Sequence, residues 1–146
     1  MARPAHTTSR ADALVLLGCG GRQLAWPPAR VRAELEALVD GRPVLQLFHG
    51  GARGADRAVG QAATALGWRV LEVPAPWARY GYRAGPLRNA LMLGQAITAA
   101  KAASRPGLRV RVGVIAFPGG RGTAHMIRLA RAAAPAGWVG LAVIRG

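Results

Sequence analysis

Residues 110–123 read VRVGVIAFPGGRGT. The first part, Val110 to Phe117, is apolar at nearly every position. That suits a strand covered on both faces, as in a parallel sheet, better than the alternation of a strand with one face in water. The second part, Pro118-Gly119-Gly120-Arg121-Gly122-Thr123, is a glycine-rich turn that runs into a helical pattern. A strand, a glycine turn and a helix in succession form the unit from which parallel α/β sheets are built.

The unit recurs outward in both directions. Strand-length apolar runs stand at Ala13–Cys19, Val44–His49, Arg69–Pro74 and Trp138–Ile144. Between them the spacing predicts a helix over Ala29–Val39, ended by Gly41 and Pro43. A second helix shows one apolar face at Ala55, Ala58, Val59, Ala62, Ala63 and Leu66, with Gly67 as its stop. A third is predicted to open at Gly85-Pro86, with Pro at the first position, and to run toward Ala103. A fourth follows Thr123 and stops before Pro135 and Gly137. Strand and helix therefore alternate along the chain. The order predicts one α/β domain over residues 13–146, with a flexible N-terminal segment at 1–12. Its architecture is a three-layer α/β/α sandwich around a five-stranded, mostly parallel sheet.

Composition narrows the function classes. The 146 residues carry 20 Lys or Arg and 6 Asp or Glu, a formal net charge of +14. One cysteine, Cys19, excludes an internal disulfide and a cysteine-cluster zinc site, and it reads as a small buried apolar residue. No run approaches the roughly 20 apolar residues that span a bilayer, and residues 1–12 lack the apolar stretch of a signal peptide. The expectation is a cytoplasmic protein with no membrane partner. No His, Cys and carboxylate grouping has metal-ligand spacing, so no protein-held cofactor is expected, and any Mg²⁺ would arrive with a nucleotide. The charge by itself points to nucleic acid, single strands included. However, nineteen of the twenty basic residues are Arg and they are scattered, as GC-rich codon usage would give. Nucleic acid therefore stands behind a small-molecule partner. All six acidic residues (Asp12, Glu34, Glu36, Asp40, Asp56 and Glu72) precede residue 73, so chemistry needing two side-chain carboxylates must use the N-terminal half.

Ligands of open parallel sheets bind beyond the carboxyl ends of the strands, and the glycines cluster there. Gly20, Gly21 and Arg22 follow the first strand; Gly50, Gly51, Arg53 and Gly54 follow the second; Gly119, Gly120, Arg121, Gly122 and Thr123 follow the fourth. Such turns let backbone N–H groups approach a phosphate, and they equally serve any tight strand-to-helix connection. Thr123 either donates its hydroxyl to a phosphate or caps the fourth helix. Asp56 either favours the N-terminus of the second helix or bonds a ribose hydroxyl. His49 reads as a packed histidine that orients its loop, and His125 as a solvent-facing residue or a ligand donor and general acid. Trp77, Tyr80 and Tyr82 lie in the connection PAPWARYGYRAGP. Trp77 and Tyr80 are candidates for stacking on a base, with a core anchor as the other reading of Trp77. Arg83, Arg88 and Asn89 follow, with Arg88 as a phosphate clamp and Asn89 as a hydrogen-bonder to base or ribose.

The ordered set GGR (20–22), HGGARGAD (49–56), Trp77, YG (80–81), AGPLRNALM (84–92) and FPGGRGTAHM (117–126) resembles the YspA-type, cpYpsA-related branch of the SLOG superfamily. That superfamily includes the LOG phosphoribohydrolases and the DNA-processing protein DprA. The resemblance runs from about Ala13 to the end of the chain and implies a Rossmann-like fold with a nucleotide-type ligand, such as a nucleoside monophosphate or an ADP-ribose-like molecule. It also implies that dimers could form through helices beside the cleft. LOG enzymes pair an Arg in R-x-x-x-M with a Glu in P-G-G-x-G-T-x-x-E. Arg88 and Met92 match the first motif, but Met126, preceded by His125, stands at the position of the Glu. A thioether cannot serve an oxocarbenium-like centre, so hydrolysis by that pair is not expected. A nucleotide N-glycosidic hydrolase would need Asp56 or His125 in its place.

Overall fold

The computed structural model describes residues 11–146. Most of the segment expected to be flexible, residues 1–10, therefore lies outside the described residues. Ala11 is already buried, and the Asp12 N–H donates to the Arg109 carbonyl at 2.8 Å.

Five strands, β1 (Ala13–Cys19), β2 (Val44–His49), β3 (Val70–Glu72), β4 (Val110–Ala116) and β5 (Val139–Val143), form one sheet in the order β3-β2-β1-β4-β5. Every pairing is parallel. The helices are α1 (Pro28–Val39), α2 (Ala55–Ala65), the single turn α3 (Trp77–Tyr80), α4 (Ala84–Ala103) and α5 (Arg121–Ala133). This is a Rossmann-like α/β domain.

β1 lies at the centre of the sheet, and all seven of its residues are buried. Its side chains alternate between two cores, as strand geometry requires. Ala13, Val15, Leu17 and Cys19 pack with Met92, Leu93 and Ala96 of α4 and with Met126 and Ala130 of α5. Leu14 and Leu16 pack with Val31 and Leu35 of α1 and with Val59 and Ala63 of α2. Two-sided burial is thus the physical reason the strand reads as a continuous apolar run.

The boundaries differ from the sequence reading where the chain turns. β3, at one edge of the sheet, keeps three of the six expected residues, and β5, at the other edge, keeps five of seven. α4 opens at Ala84, so Pro86 is its third residue. The ring is tolerated there because first-turn N–H groups have no intrahelical acceptor. α5 opens at Arg121 instead of after Thr123. In the connection carrying the aromatics, α3 and a 3₁₀ turn at Gly81–Arg83 lead directly into α4.

Leu16 is fully buried in the central strand. Leu16→Ala should cost about 2–5 kcal/mol through lost burial and the cavity left behind. Urea unfolding should show the midpoint falling at an unchanged slope; a loss under about 1 kcal/mol would mean that this face of the sheet is not the packed core described.

Candidate functional site

The strand order reverses between β1 and β4, so the carboxyl ends of these two strands define the crevice where such sheets bind ligands. Here the loops after the two strands are stitched by their backbones. The Phe117 N–H donates to the Cys19 carbonyl at 2.9 Å, and the Gly21 N–H donates to the Pro118 carbonyl at 2.8 Å. The loop after β2 joins them through the Ala55 N–H, which donates to the Gly21 carbonyl at 3.0 Å.

This closeness accounts for most of the glycines. A Cβ on Gly20 would stand 2.5 Å from that of Ala55, one on Gly21 would stand 2.9 Å from the Gly119 Cα, and one on Gly51 would stand 2.6 Å from Glu72 Cδ. Gly50 lies under the Arg88 guanidinium, and Gly119 lies against Gly21 and the Thr123 side chain. Gly54 has φ +76°, and a Cβ there would lie 2.5 Å from the carbonyl oxygens of Gly21 and Arg22. Four of these six, Gly20, Gly21, Gly54 and Gly119, serve the packing of loop against loop, while Gly50 makes room for Arg88 and Gly51 for Glu72. Gly120 and Gly122 differ, because a Cβ on either meets nothing within 4 Å.

Those two open positions belong to the N-terminus of α5. Its cap residue is Gly120, with no side-chain cap bond, so Thr123 is a buried first-turn residue and not the cap. The first intrahelical bond runs from the Ala124 N–H to the Gly120 carbonyl at 3.0 Å. The N–H groups of Arg121, Gly122 and Thr123 precede it, at the positive end of the helix dipole.

Asn89, nearly buried at the start of α4, ties that helix to α5. Its Nδ2 donates to the Gly122 carbonyl at 3.1 Å and lies 3.2 Å from His125 Nδ1, while its Oδ1 accepts from Arg88 Nε at 3.0 Å. This pattern sets the amide orientation, since a flip would oppose oxygen to the Gly122 carbonyl and N–H to the Arg88 N–H. His125 Nδ1 is then an acceptor, and the neutral ring carries its proton on Nε2. Burial, aided by Arg128, lowers the His125 pKa below 6.5.

Arg88 reaches the other way. Its Nη1 donates to the carbonyls of Gly50 at 2.9 Å and Val73 at 3.2 Å, bracing the loop after β2 against the end of β3. Burial lowers its pKa, and the nearby Asp56 carboxylate opposes the shift. Asp56 is itself buried, and its Oδ2 accepts the Ala52 N–H at 3.2 Å. Desolvation raises its pKa, against the lowering effects of that bond and of Arg88. His49 closes the same loop by accepting the Gly51 N–H on Nδ1 at 2.9 Å, the orienting role read from the sequence. Cys19 lies at the end of β1 with its thiol pushed up to about 12, chiefly by burial, which disfavours a nucleophilic thiolate.

Trp77 is 47% exposed, so it is not a core anchor. It leans on Gly85, with the Arg22 guanidinium 5.4 Å from its ring centroid. Tyr80 is 41% and Tyr82 85% exposed. Arg53 and Arg121 are exposed, on the loop after β2 and the first turn of α5. Among the described residues, no group of three or more His, Cys, Asp or Glu is placed to hold a metal, and no helix is long and apolar enough to cross a membrane.

Residues 15–80 match the family model described as YspA, cpYpsA-related SLOG family. Over this span the chain is similar to that family. The SLOG match takes in the turn at Gly20–Arg22, the loop at His49–Asp56, Trp77 and Tyr80, and it ends before Arg88, Asn89 and the turn at Gly119–Thr123. No curated protein matches the chain.

Met126, at the position of the LOG glutamate, is fully buried in the core against the sheet. Met126→Glu should therefore destabilise the fold by several kcal/mol and release no free base from nucleoside monophosphates. Base release by a folded Met126→Glu protein would show that position 126 reaches the crevice.

Burial lowers the pKa of His49, as of His125, below 6.5. The unfolded chain thus binds more protons as pH falls through 6.5, and stability is lost in that direction. Denaturation at a series of pH values should show this loss, and His49→Gln should reduce the slope. A ring titration of His49 by NMR with its midpoint at or above 6.5 would refute the assignment.

Proposed function

We propose that the chain binds a nucleotide or nucleotide-derived ligand, such as a nucleoside monophosphate or an ADP-ribose-like molecule, with its phosphate on the N-terminus of α5. The observation that carries this reading is the open first turn. Gly120 and Gly122 leave free space where the other loop glycines meet protein, and the N–H groups of residues 121–123 precede the first intrahelical bond. Backbone N–H groups at a helix N-terminus favour an anion. The SLOG match over residues 15–80 supports a nucleotide-related role. Arg121 and Arg22 supply positive charge, and the half-exposed Trp77 offers a ring for a base. Arg88 supports the site chiefly as a brace, since its Nε and Nη1 are already engaged by protein acceptors.

Binding is preferred to hydrolysis because the two candidate catalytic groups have other work. Asp56 is buried and holds the Ala52 N–H, and His125 Nδ1 is satisfied by Asn89. A hydrolase would show itself by release of free base from a nucleoside monophosphate.

Calorimetry against AMP, ADP-ribose and NAD should give binding to at least one of them. Gly122→Glu should keep the fold, since nothing lies within 4 Å of the new Cβ, and an acid in a first turn is favourable. Its charge should nevertheless weaken binding by about tenfold or more through repulsion of the phosphate. Unchanged affinity in this variant, or no binding by the wild type to any of the three, would overturn the reading.

A further inference from the structure

At the amino ends of β4 and β5, away from the glycine turns, the surface forms a concavity of about 480 Å³. Its lining includes Ser104, Arg105, Leu108, Arg109, Arg111 and Trp138. We infer that this concavity is a second binding site, for a small polyanion carrying a chain of phosphates.

The first argument is charge. Arg105, Arg109 and Arg111 all contribute to the lining of one concavity, and the Lys101 ammonium lies 5.7 Å from the Trp138 ring centroid beside it. None of the lining residues is acidic, and no Asp or Glu follows Glu72 in the chain. Asp12 reaches this wall, where its Oδ2 accepts the Arg109 backbone N–H at 2.7 Å, and its carboxylate offsets part of the positive charge but not all of it.

Helix ends explain only part of this excess. α4 and α5 both finish near the concavity, and each C-terminus presents about half a negative charge. Lys101 in the last turn of α4 and Arg131 in that of α5 already complement those ends. Arg105 and Arg109 come in addition.

The second argument is that the wall is preorganised. The Arg105 N–H donates to the Leu108 carbonyl at 3.1 Å, and the Leu108 N–H donates back to the Arg105 carbonyl at 2.9 Å. The Ser104 hydroxyl accepts the Val110 N–H at 3.1 Å and donates to the Ala100 carbonyl at 3.0 Å, fixing the turn to the end of α4. Little backbone entropy remains to be lost when an anion docks. Guanidinium forks match phosphate oxygens in pairs. The volume lies within the range of small-molecule pockets and exceeds what one inorganic ion needs, and Leu108, Ala136 and Trp138 provide apolar surface for the rest of the ligand.

The test is an NMR titration of the full chain with inorganic tripolyphosphate at low salt. The Trp138 indole N–H, identified by Trp138→Phe, and the Gly107 amide should shift together and saturate. The paired substitution Arg105→Ser with Arg109→Ser should weaken this response by about tenfold or more. Repeating the titration in Gly122→Glu should leave the response intact, which separates this site from the one on α5. Absence of shifts at Trp138 and Gly107 at millimolar tripolyphosphate, or equal affinity after removal of both arginines, would overturn the inference. So would a response to a single-stranded oligonucleotide but not to tripolyphosphate, which would make the concavity a strand-binding surface.

Discussion

The arrangement depends on one constraint: three loops must leave the same edge of the sheet within backbone contact of one another. The bonds Phe117 N–H to Cys19 carbonyl, Gly21 N–H to Pro118 carbonyl and Ala55 N–H to Gly21 carbonyl tie the loops after β1, β4 and β2 together. Backbones this close leave no room for a Cβ, so the contact itself selects glycine at positions 20, 21, 54 and 119. The same stitching closes the root of the crevice at the switch point. The proposed ligand would sit further out, on α5, whose first turn has open space at Gly120 and Gly122.

The buried polar residues follow from that constraint. A tight loop over Gly50–Gly54 turns its N–H and carbonyl groups inward, and buried polar groups must find partners. Arg88 takes the Gly50 carbonyl, Asp56 the Ala52 N–H and His49 the Gly51 N–H. Residues that look catalytic in isolation thus form the loop's internal support. Their pKa directions fit that use: burial holds His49 toward its neutral form, the one that can accept on Nδ1, while Arg88 and the loop N–H groups oppose the desolvation of Asp56. Asn89 performs the same service between α4 and α5, and through the Gly122 carbonyl it fixes the turn on which phosphate is proposed to sit.

Much of the fold was legible because two-sided burial writes itself as apolar runs. Ala13–Cys19 and Val44–His49 were read with their observed limits, since a central strand and its neighbour have no free edge at which to fray. The edge strands β3 and β5 were read too long because apolarity continues past the last ladder bond. The aromatic connection carries no helical signal for a different reason: α3 is a single turn, too short to show a helical period. At the site, the sequence located the glycine loops but could not separate packing glycines from open ones, because that depends on which loops meet across the sheet. Trp77 shows the same gap, since its half-exposure follows from the path of α3 and not from its local pattern. The role of Asn89 as a strut between helices, with Gly122 and His125 more than thirty residues away, left no sequence signal beyond its place beside Arg88.

The net charge of +14 takes on meaning only when divided by position. Self-repulsion of that size works against a compact chain, and its relief is unevenly distributed. In the N-terminal half, acids lie among the bases; Arg32 and Glu36, for example, pair at 3.0 Å along α1. No acidic side chain follows Glu72, so relief in the C-terminal half comes from acids of the other half, such as Asp56 beside Arg88, from helix carbonyl ends, from aromatic rings such as Trp138 beneath Lys101, or from anions. Helix ends meet that need at one edge of the sheet, yet at the other edge the helices present their N-termini, and the dipoles add to the arginines. The glycine-rich edge therefore accumulates positive potential from two sources at once. An anion there would be stabilised by both, which is why phosphate is proposed to sit on α5, the helix whose first turn stands open.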